Sequence, residues 1–139
     1  MASFKKRLEA ARALAKHPRI LVSGIEDELS TRFTIDTLRA LIRRFPRARF
    51  VWLMGSDNLL QIPHWRRWQE IFRLVPVAVI ARTGTALSAR LSPAAARFKS
   101  ASRPVGASFA ASKPPAWTIL DAKRDPTSAT RLRASASRK

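Results

Sequence analysis

Three groups of residues in this chain combine side-chain types and spacing that suit chemistry. The first is Gly55-Ser56-Asp57-Asn58, which follows directly on the apolar run Val51-Trp52-Leu53-Met54. A glycine at the end of a buried strand lets a ligand approach the backbone, and Asp57 beyond it can accept hydrogen bonds from ribose hydroxyls or hold a metal-bound water. The same residues also suit a plain turn in which Asp57 or Asn58 caps the next helix. The second group centres on Trp65, within Pro63-His64-Trp65-Arg66-Arg67-Trp68. Its flat ring can stack on a heterocycle, or it can pack into a core with its i+3 and i+7 partners. The third is Thr127-Ser128-Ala129-Thr130-Arg131-Leu132-Arg133. Hydroxyls and unpaired N–H groups at a helix start, with arginine about one turn on, suit a polyphosphate; an ordinary capped helix with a solvated basic face has the same composition.

Other polar groups carry less. Glu26-Asp27-Glu28 gathers three of the nine acids in one turn, where they could bind a metal or simply form a solvated loop. His17 and His64 are isolated in sequence and read as surface or boundary residues. No nucleophile, base and orienting acid assemble by spacing, so no catalytic residue is identified. With no cysteine and two histidines, a disulfide framework, a thiolate metal site and a zinc site are all disfavoured, and no protein metal site is assigned.

The elements that must position these groups follow from periodicity. Phe4, Leu8, Ala11 and Leu14 recur at helical spacing among basic residues, so a helix is expected over residues 3–16, with Ser3 as its cap. Arg19-Ile20-Leu21-Val22-Ser23 reads as a short strand after the His17-Pro18 break. Thr34 is expected to cap the next helix, whose stripe of Leu38, Leu41, Ile42 and Phe45 falls at i, i+3, i+4 and i+7 and is closed by Pro46. Strands are predicted over residues 49–54, 76–81 and 116–120, with a helix starting near His64 and carrying Trp65, Trp68, Ile71, Phe72 and Val75 on one face. Residues 83–115 turn to Ala, Ser, Pro and Arg and read as a variable insert, with one helix from Ser92-Pro93 to about Phe98 and little order elsewhere. A terminal helix is expected after Pro126. Strands alternating with helices predict an α/β protein: a Rossmann-like parallel sheet flanked by helices, in one domain over residues 1–139.

The chain has 139 residues and a net charge of +18, from 27 Lys and Arg against nine Asp and Glu. Such a field favours phosphates, nucleotides, nucleic acid or anionic surfaces without choosing among them. No window approaches the ~20 apolar residues of a membrane span, so a cytoplasmic protein without a membrane partner is expected. One alternative is a basic nucleic-acid-binding or scaffold protein without catalysis. Against it, the basic residues are dispersed and the aromatics are core-spaced, so no specific nucleic-acid partner is expected.

Four segments, taken in register, resemble bacterial nicotinate-nucleotide adenylyltransferases of the nucleotidyltransferase superfamily. Arg32-Phe33-Thr34-Ile35-Asp36-Thr37-Leu38 is similar to that family's R-Y/F-T-x-D-T-L segment, and residues 51–58 to its strand ending G-A-D-N, with Ser56 for the usual alanine. Residues 63–68 resemble its W-x-x-W helix and residues 128–133 its S-x-T-x-x-R signature. The resemblance covers the family's carboxyl-terminal two-thirds, from about His17 to Arg133, and is weakest over residues 83–115.

That resemblance implies transfer of AMP from ATP to nicotinate mononucleotide, giving deamido-NAD and pyrophosphate in NAD biosynthesis, with Mg²⁺ accompanying ATP. By matching position, Thr34 would hold the nicotinate carboxylate and Trp65 would stack on the pyridine ring. Gly55 and Asp57 would line the adenosine ribose, and Ser128, Thr130 and Arg133 would face the ATP phosphates. The family's opening strand and its G-G-S/T-F-D-P-x-H-x-G-H segment have no counterpart in residues 1–16, so the first strand–helix–strand of the sheet is expected to be lacking. A late start within a longer gene is the expected origin. Little or no adenylyltransferase activity is expected of this polypeptide alone.

Overall fold

A computed structural model describes residues 3–82 and 84–122. Its centre is a three-stranded, wholly parallel sheet of β1 (Trp52–Gly55), β2 (Val77–Ala81) and β3 (Trp117–Asp121), in that order. Trp52 pairs with Val77 and Val77 with Trp117, so the three strands start level and all end on one side. The run Val77-Ala78-Val79 is buried on both faces, as a central parallel strand requires.

Seven α-helices are described: α1 (Phe4–Leu14), α2 (Ile25–Glu28), α3 (Thr34–Arg44), α4 (Ser56–Gln61), α5 (Trp68–Leu74), α6 (Ala86–Arg90) and α7 (Pro93–Arg97). In α3, Ile35 and Leu38 are buried and Leu41 and Ile42 partly so, while Arg43 and Arg44 stay exposed; Phe45, the last residue of the stripe read from the sequence, is 42 % exposed, and Ile35 takes a core place that the stripe left out. One face of the sheet packs Val77, Val79 and Trp117 against Ile35 and Leu38 of α3, Leu59 of α4, Ile71 and Phe72 of α5, and Ala94 and Phe98. Burying that apolar surface is the main stabilising term. Phe72 stacks on Phe98 with ring centroids 4.5 Å apart and an 8° interplanar angle, and Trp68 meets both edge-on. The opposite face is thinner: Ala78, Phe109 and Ala116 form a small second cluster, and Leu53 of β1 is left 55 % exposed.

The structure departs from the sequence expectations at four further places. Residues 19–23 form no strand: the Ile20 N–H closes a turn on the His17 carbonyl, and Leu21 is 90 % exposed. A strand exists only through its ladder, and no described residue pairs with this run or with the outer edge of β1. Thr34 is the first residue of α3 instead of its cap; Phe33 takes the cap position and supplies no side-chain bond. The helix expected from His64 begins only at Trp68, after a short 3₁₀ turn over Ile62–His64, so Trp65 lies on the linker. Residues 84–115 are more ordered than composition implied, with α6, α7 and two 3₁₀ turns placing Ala89, Ala94, Ala95, Ala101 and Phe98 in the core. The helix expected after Pro126 lies outside the described residues.

Candidate functional site

In a parallel sheet the crevice beyond the carboxyl ends of the strands is where ligands bind. Those ends here are Gly55, Ala81 and Asp121. The helix α5 finishes at Leu74, just before β2 begins, so its start and the linker before it stand on the carboxyl side. The helix α3 likewise runs back toward the start of β1 and packs against α5, which puts Thr34 on that side too. Glu70 of α5 holds the pair together, accepting hydrogen bonds from Arg39 of α3 and, at 2.6 Å, from Nε of Arg67.

Between these two helix starts lies a cavity of about 310 Å³ lined by Arg32, Phe33, Thr34, His64, Trp65 and Arg66. Thr34 sits where the helix begins. The Phe33 carbonyl accepts from the Asp36 and Thr37 N–H groups, and the first N–H groups of α3, at Thr34 and Ile35, have no intrahelical partner. With the helix dipole they make this end of α3 receptive to negative charge. The loop that presents it is braced by Thr37, whose buried hydroxyl lies 2.7 Å from that of Thr31 and donates to the Phe33 carbonyl at 3.3 Å.

Trp65 is half-buried in an extended conformation, its N–H bonded to the Ile62 carbonyl at 2.8 Å. The chain then reverses through Arg67, whose φ of 51° is left-handed. That conformation costs a non-glycine residue about 1–2 kcal/mol, and the Arg67–Glu70 pair offsets part of it. The lining thus combines two aromatic rings, a hydroxyl, a helix amino terminus and three basic side chains, with no carboxylate. Arg66 places its guanidinium 4.9 Å from the centre of the Phe33 ring. Such a cavity suits a flat, negatively charged ring.

The structure brings Thr34 and Trp65 together on the wall of one cavity. Gly55 and Asp57 do not line that cavity; they stand at the end of β1 and in the first turn of α4, with Asp57 exposed and making no side-chain cap. Gly55 has an ordinary φ of −76°, and a Cβ placed on it would meet nothing within 4 Å. Neither backbone strain nor packing therefore demands glycine there, and the space above it is open. The neighbouring Ser56 is buried, and its hydroxyl lies 2.8 Å from that of Thr85, which itself donates to the Arg82 carbonyl at 2.7 Å. Because Thr85 spends its proton on Arg82, Ser56 is the donor between them, and the end of β1 is tied to the segment after β2. Ser128, Thr130 and Arg133 lie outside the described residues.

Arg32, Phe33, His64 and Arg66 line the cavity although the residue-by-residue reading gave them no role. Their signal was adjacency: each neighbours Thr34 or Trp65 within a matched motif. Thr85 had no signal at all. The acidic turn Glu26-Asp27-Glu28 forms the exposed helix α2, and among the described residues no group of three or more His, Asp or Glu could hold a metal ion.

A second cavity, of about 380 Å³, opens along the outer edge of β3 and is lined by Arg90, Ser102, Arg103, Pro104, Val105, Trp117, Thr118 and Ile119. It flanks the first half of the strand, away from the carboxyl ends.

Comparison with known proteins agrees with this geometry. The family model for cytidylyltransferase-like proteins matches residues 1–135. A protein of Parvibaculum lavamentivorans named "Probable nicotinate-nucleotide adenylyltransferase" is 51 % identical over 137 residues, covering 96 % of this chain and 67 % of the relative. One of the same name from Cereibacter sphaeroides is 50 % identical over 134 residues, covering 96 % of this chain and 72 % of the relative. The family match begins at residue 1, so the likeness includes α1, which none of the four motifs marked. On this similarity and this fold, the chain belongs to the cytidylyltransferase-like nucleotidyltransferases, in the branch of the nicotinate-nucleotide adenylyltransferases.

Proposed function

We propose that this chain serves adenylyl transfer in NAD biosynthesis, with nicotinate mononucleotide and ATP as substrates. The phosphate of the mononucleotide attacks the α-phosphorus of ATP, forming the P–O bond of deamido-NAD and releasing pyrophosphate. No covalent enzyme intermediate is needed, since positioning and charge stabilisation carry such displacements. The observation that carries the reading is the cavity in which Thr34 and Trp65 meet, within a chain half identical to proteins of that name. In this reading Trp65 stacks on the pyridine ring, and the Thr34 hydroxyl with the free N–H groups of α3 receives the ring's carboxylate.

Gly55 and Asp57 are proposed to line the adenosine ribose; the open space over Gly55 supports this. Ser128, Thr130 and Arg133 are proposed to face the triphosphate. Mg²⁺ is proposed to arrive with ATP, held mainly by phosphate oxygens and water, since the described residues offer it no ready-made carboxylate cage. Work in the cytoplasm fits the substrates, and no described helix is long and apolar enough to cross a membrane.

The test is calorimetric titration of the chain with nicotinate mononucleotide. Saturable one-to-one binding is expected, weakened at least about tenfold by Trp65→Ala, since a lost ring stack is worth about 1–3 kcal/mol. Absence of saturable binding would contradict the proposal. The 139 residues contain no H-x-G-H segment, so turnover by this polypeptide with ATP and Mg²⁺ is expected to be slow, and brisk pyrophosphate release would overturn that expectation.

A further inference from the structure

We infer that Glu70 is a positioning residue for the Thr34–Trp65 cavity: by holding Arg39 on one side and Arg67 on the other, it keeps the Trp65 linker in the turn that presents its ring beside Thr34. For the identity of the ligand, the inference rests on the proposed function. Glu70 does not itself line the cavity. Its two carboxylate oxygens are divided, Oε2 accepting from Nη2 of Arg39 and Oε1 from Nε of Arg67 at 2.6 Å. Arg39 lies on the helix that begins at Thr34, and Arg67 lies two residues after Trp65. One side chain thus connects the two elements that wall the cavity.

Arg67 is where that connection acts most strongly. It takes the cap position of α5 with φ 51° and ψ 38°, a left-handed conformation that a non-glycine residue leaves unless its surroundings hold it. The Glu70 N–H donates to the Arg67 carbonyl at 2.9 Å while the Glu70 carboxylate accepts from the Arg67 side chain, so Glu70 closes this turn through both backbone and side chain. The turn sets the direction in which the chain runs between Trp65 and α5. If Arg67 falls back to the extended or right-handed region, Trp65 swings relative to Thr34, because its other backbone anchor, the bond from its main-chain N–H to the Ile62 carbonyl, lies on the far side. Both ion pairs are partly exposed, with side-chain exposures of 29 % for Glu70, 33 % for Arg39 and 50 % for Arg67, so they add little to global stability. Their effect is local, on which conformation the linker adopts before a ligand arrives. Charge alone predicts the opposite of a positioning role: removing a carboxylate beside a cavity for an anion should tighten binding.

The experiment measures the dissociation constant of nicotinate mononucleotide, and the position of the Trp65 indole N–H signal in ligand-free protein, for the full chain, Glu70→Ala, Glu70→Gln and the double variant Glu70→Ala with Arg67→Gly. Glu70→Ala should weaken binding about tenfold, the scale on which an unheld left-handed residue depletes the competent conformation. It should also move the Trp65 signal while leaving the urea midpoint nearly unchanged. Glu70→Gln keeps the side-chain shape and one acceptor oxygen without the charge, so its loss should be intermediate, and it carries the test if the alanine variant does not fold. Adding Arg67→Gly, which takes a positive φ without steric penalty, should recover at least about threefold of the lost affinity and return the Trp65 signal toward its original place. Neither a charge effect nor a general loss of stability would be repaired by that glycine. Binding by Glu70→Ala that is tighter, or weaker by less than about twofold, would overturn the inference, as would a loss that Arg67→Gly leaves unrepaired. If the unsubstituted chain does not bind the mononucleotide, the proposed function falls, and the Trp65 signal decides the positioning role by itself. A signal unmoved in Glu70→Ala refutes that role, and one that moves and is returned by Arg67→Gly upholds it.

Discussion

The cavity between α3 and α5 and the cavity along the edge of β3 are alike in size, in having arginines on their walls and in containing a tryptophan. They differ in what their polar groups are already doing. Along β3, the Trp117 indole is 4 % exposed and donates to the Phe98 carbonyl at 2.7 Å, and Nη1 of Arg103 is bonded to the carbonyls of Ser100 and Ser102. Between α3 and α5, the first N–H groups of a helix are free, Trp65 packs against the core yet stays partly exposed, and Arg66 has no partner among the described residues. Volume and charge are shared by both places, so neither marks a site. Donors left unpaired beside an accessible ring do, because an unmet hydrogen-bonding group is where a ligand gains most.

The comparison can be broken most sharply at Trp117. If its role is structural, Trp117→Ala should cost about 3–5 kcal/mol of stability, as for other large aromatic deletions in cores, seen as a large fall in the urea midpoint. A loss under about 1 kcal/mol would show that the β3 cavity does not depend on its tryptophan as the contacts imply. A smaller effect sharpens the reading of the strand end. Gly55→Ala meets no atom within 4 Å and keeps an allowed φ, so it should stabilise the chain by about 0.4–1 kcal/mol through the unfolded state. The same methyl should weaken ATP binding measurably if the ribose lies against it. Destabilisation would mean that Gly55 is kept for packing, and the proposed ribose contact would lose its support.

Much of this architecture was legible in the sequence, for identifiable reasons. The three strands are short apolar runs, of which β2 is buried on both sides while Leu53 leaves β1 open on one, and helices alternate with them, so a parallel sheet followed. The stripe of α3 was legible at Leu38 and Ile42, but it ran on to the exposed Phe45 and missed the buried Ile35. The strand expected over residues 19–23 failed because an apolar run with β-branched Ile20 and Val22 shows propensity and not pairing. Trp65 was placed on a helix because the helical period runs unbroken from His64 to Val75; what interrupts it is a left-handed Arg67, a residue type that gives no warning of positive φ. Residues 84–115 looked loosely ordered because alanine and serine resemble a linker, although small buried residues such as Ala89, Ala94 and Ala95 are what let α6 and α7 lie close against their neighbours. Thr34 and Trp65 were each matched to a motif, but their meeting depends on the packing of α3 on α5, a long-range fact no local pattern contains.

The central claim is that the ring of nicotinate mononucleotide stacks on Trp65. The four tryptophans, Trp52, Trp65, Trp68 and Trp117, give four indole N–H signals that single Trp→Phe variants assign. On titration with nicotinate mononucleotide in a ¹⁵N-correlated spectrum, the Trp65 signal should move saturably, with the Trp117 signal fixed by its bond to Phe98. A shift at Trp117 with Trp65 unmoved, or no saturable shift at any of the four, would contradict the account.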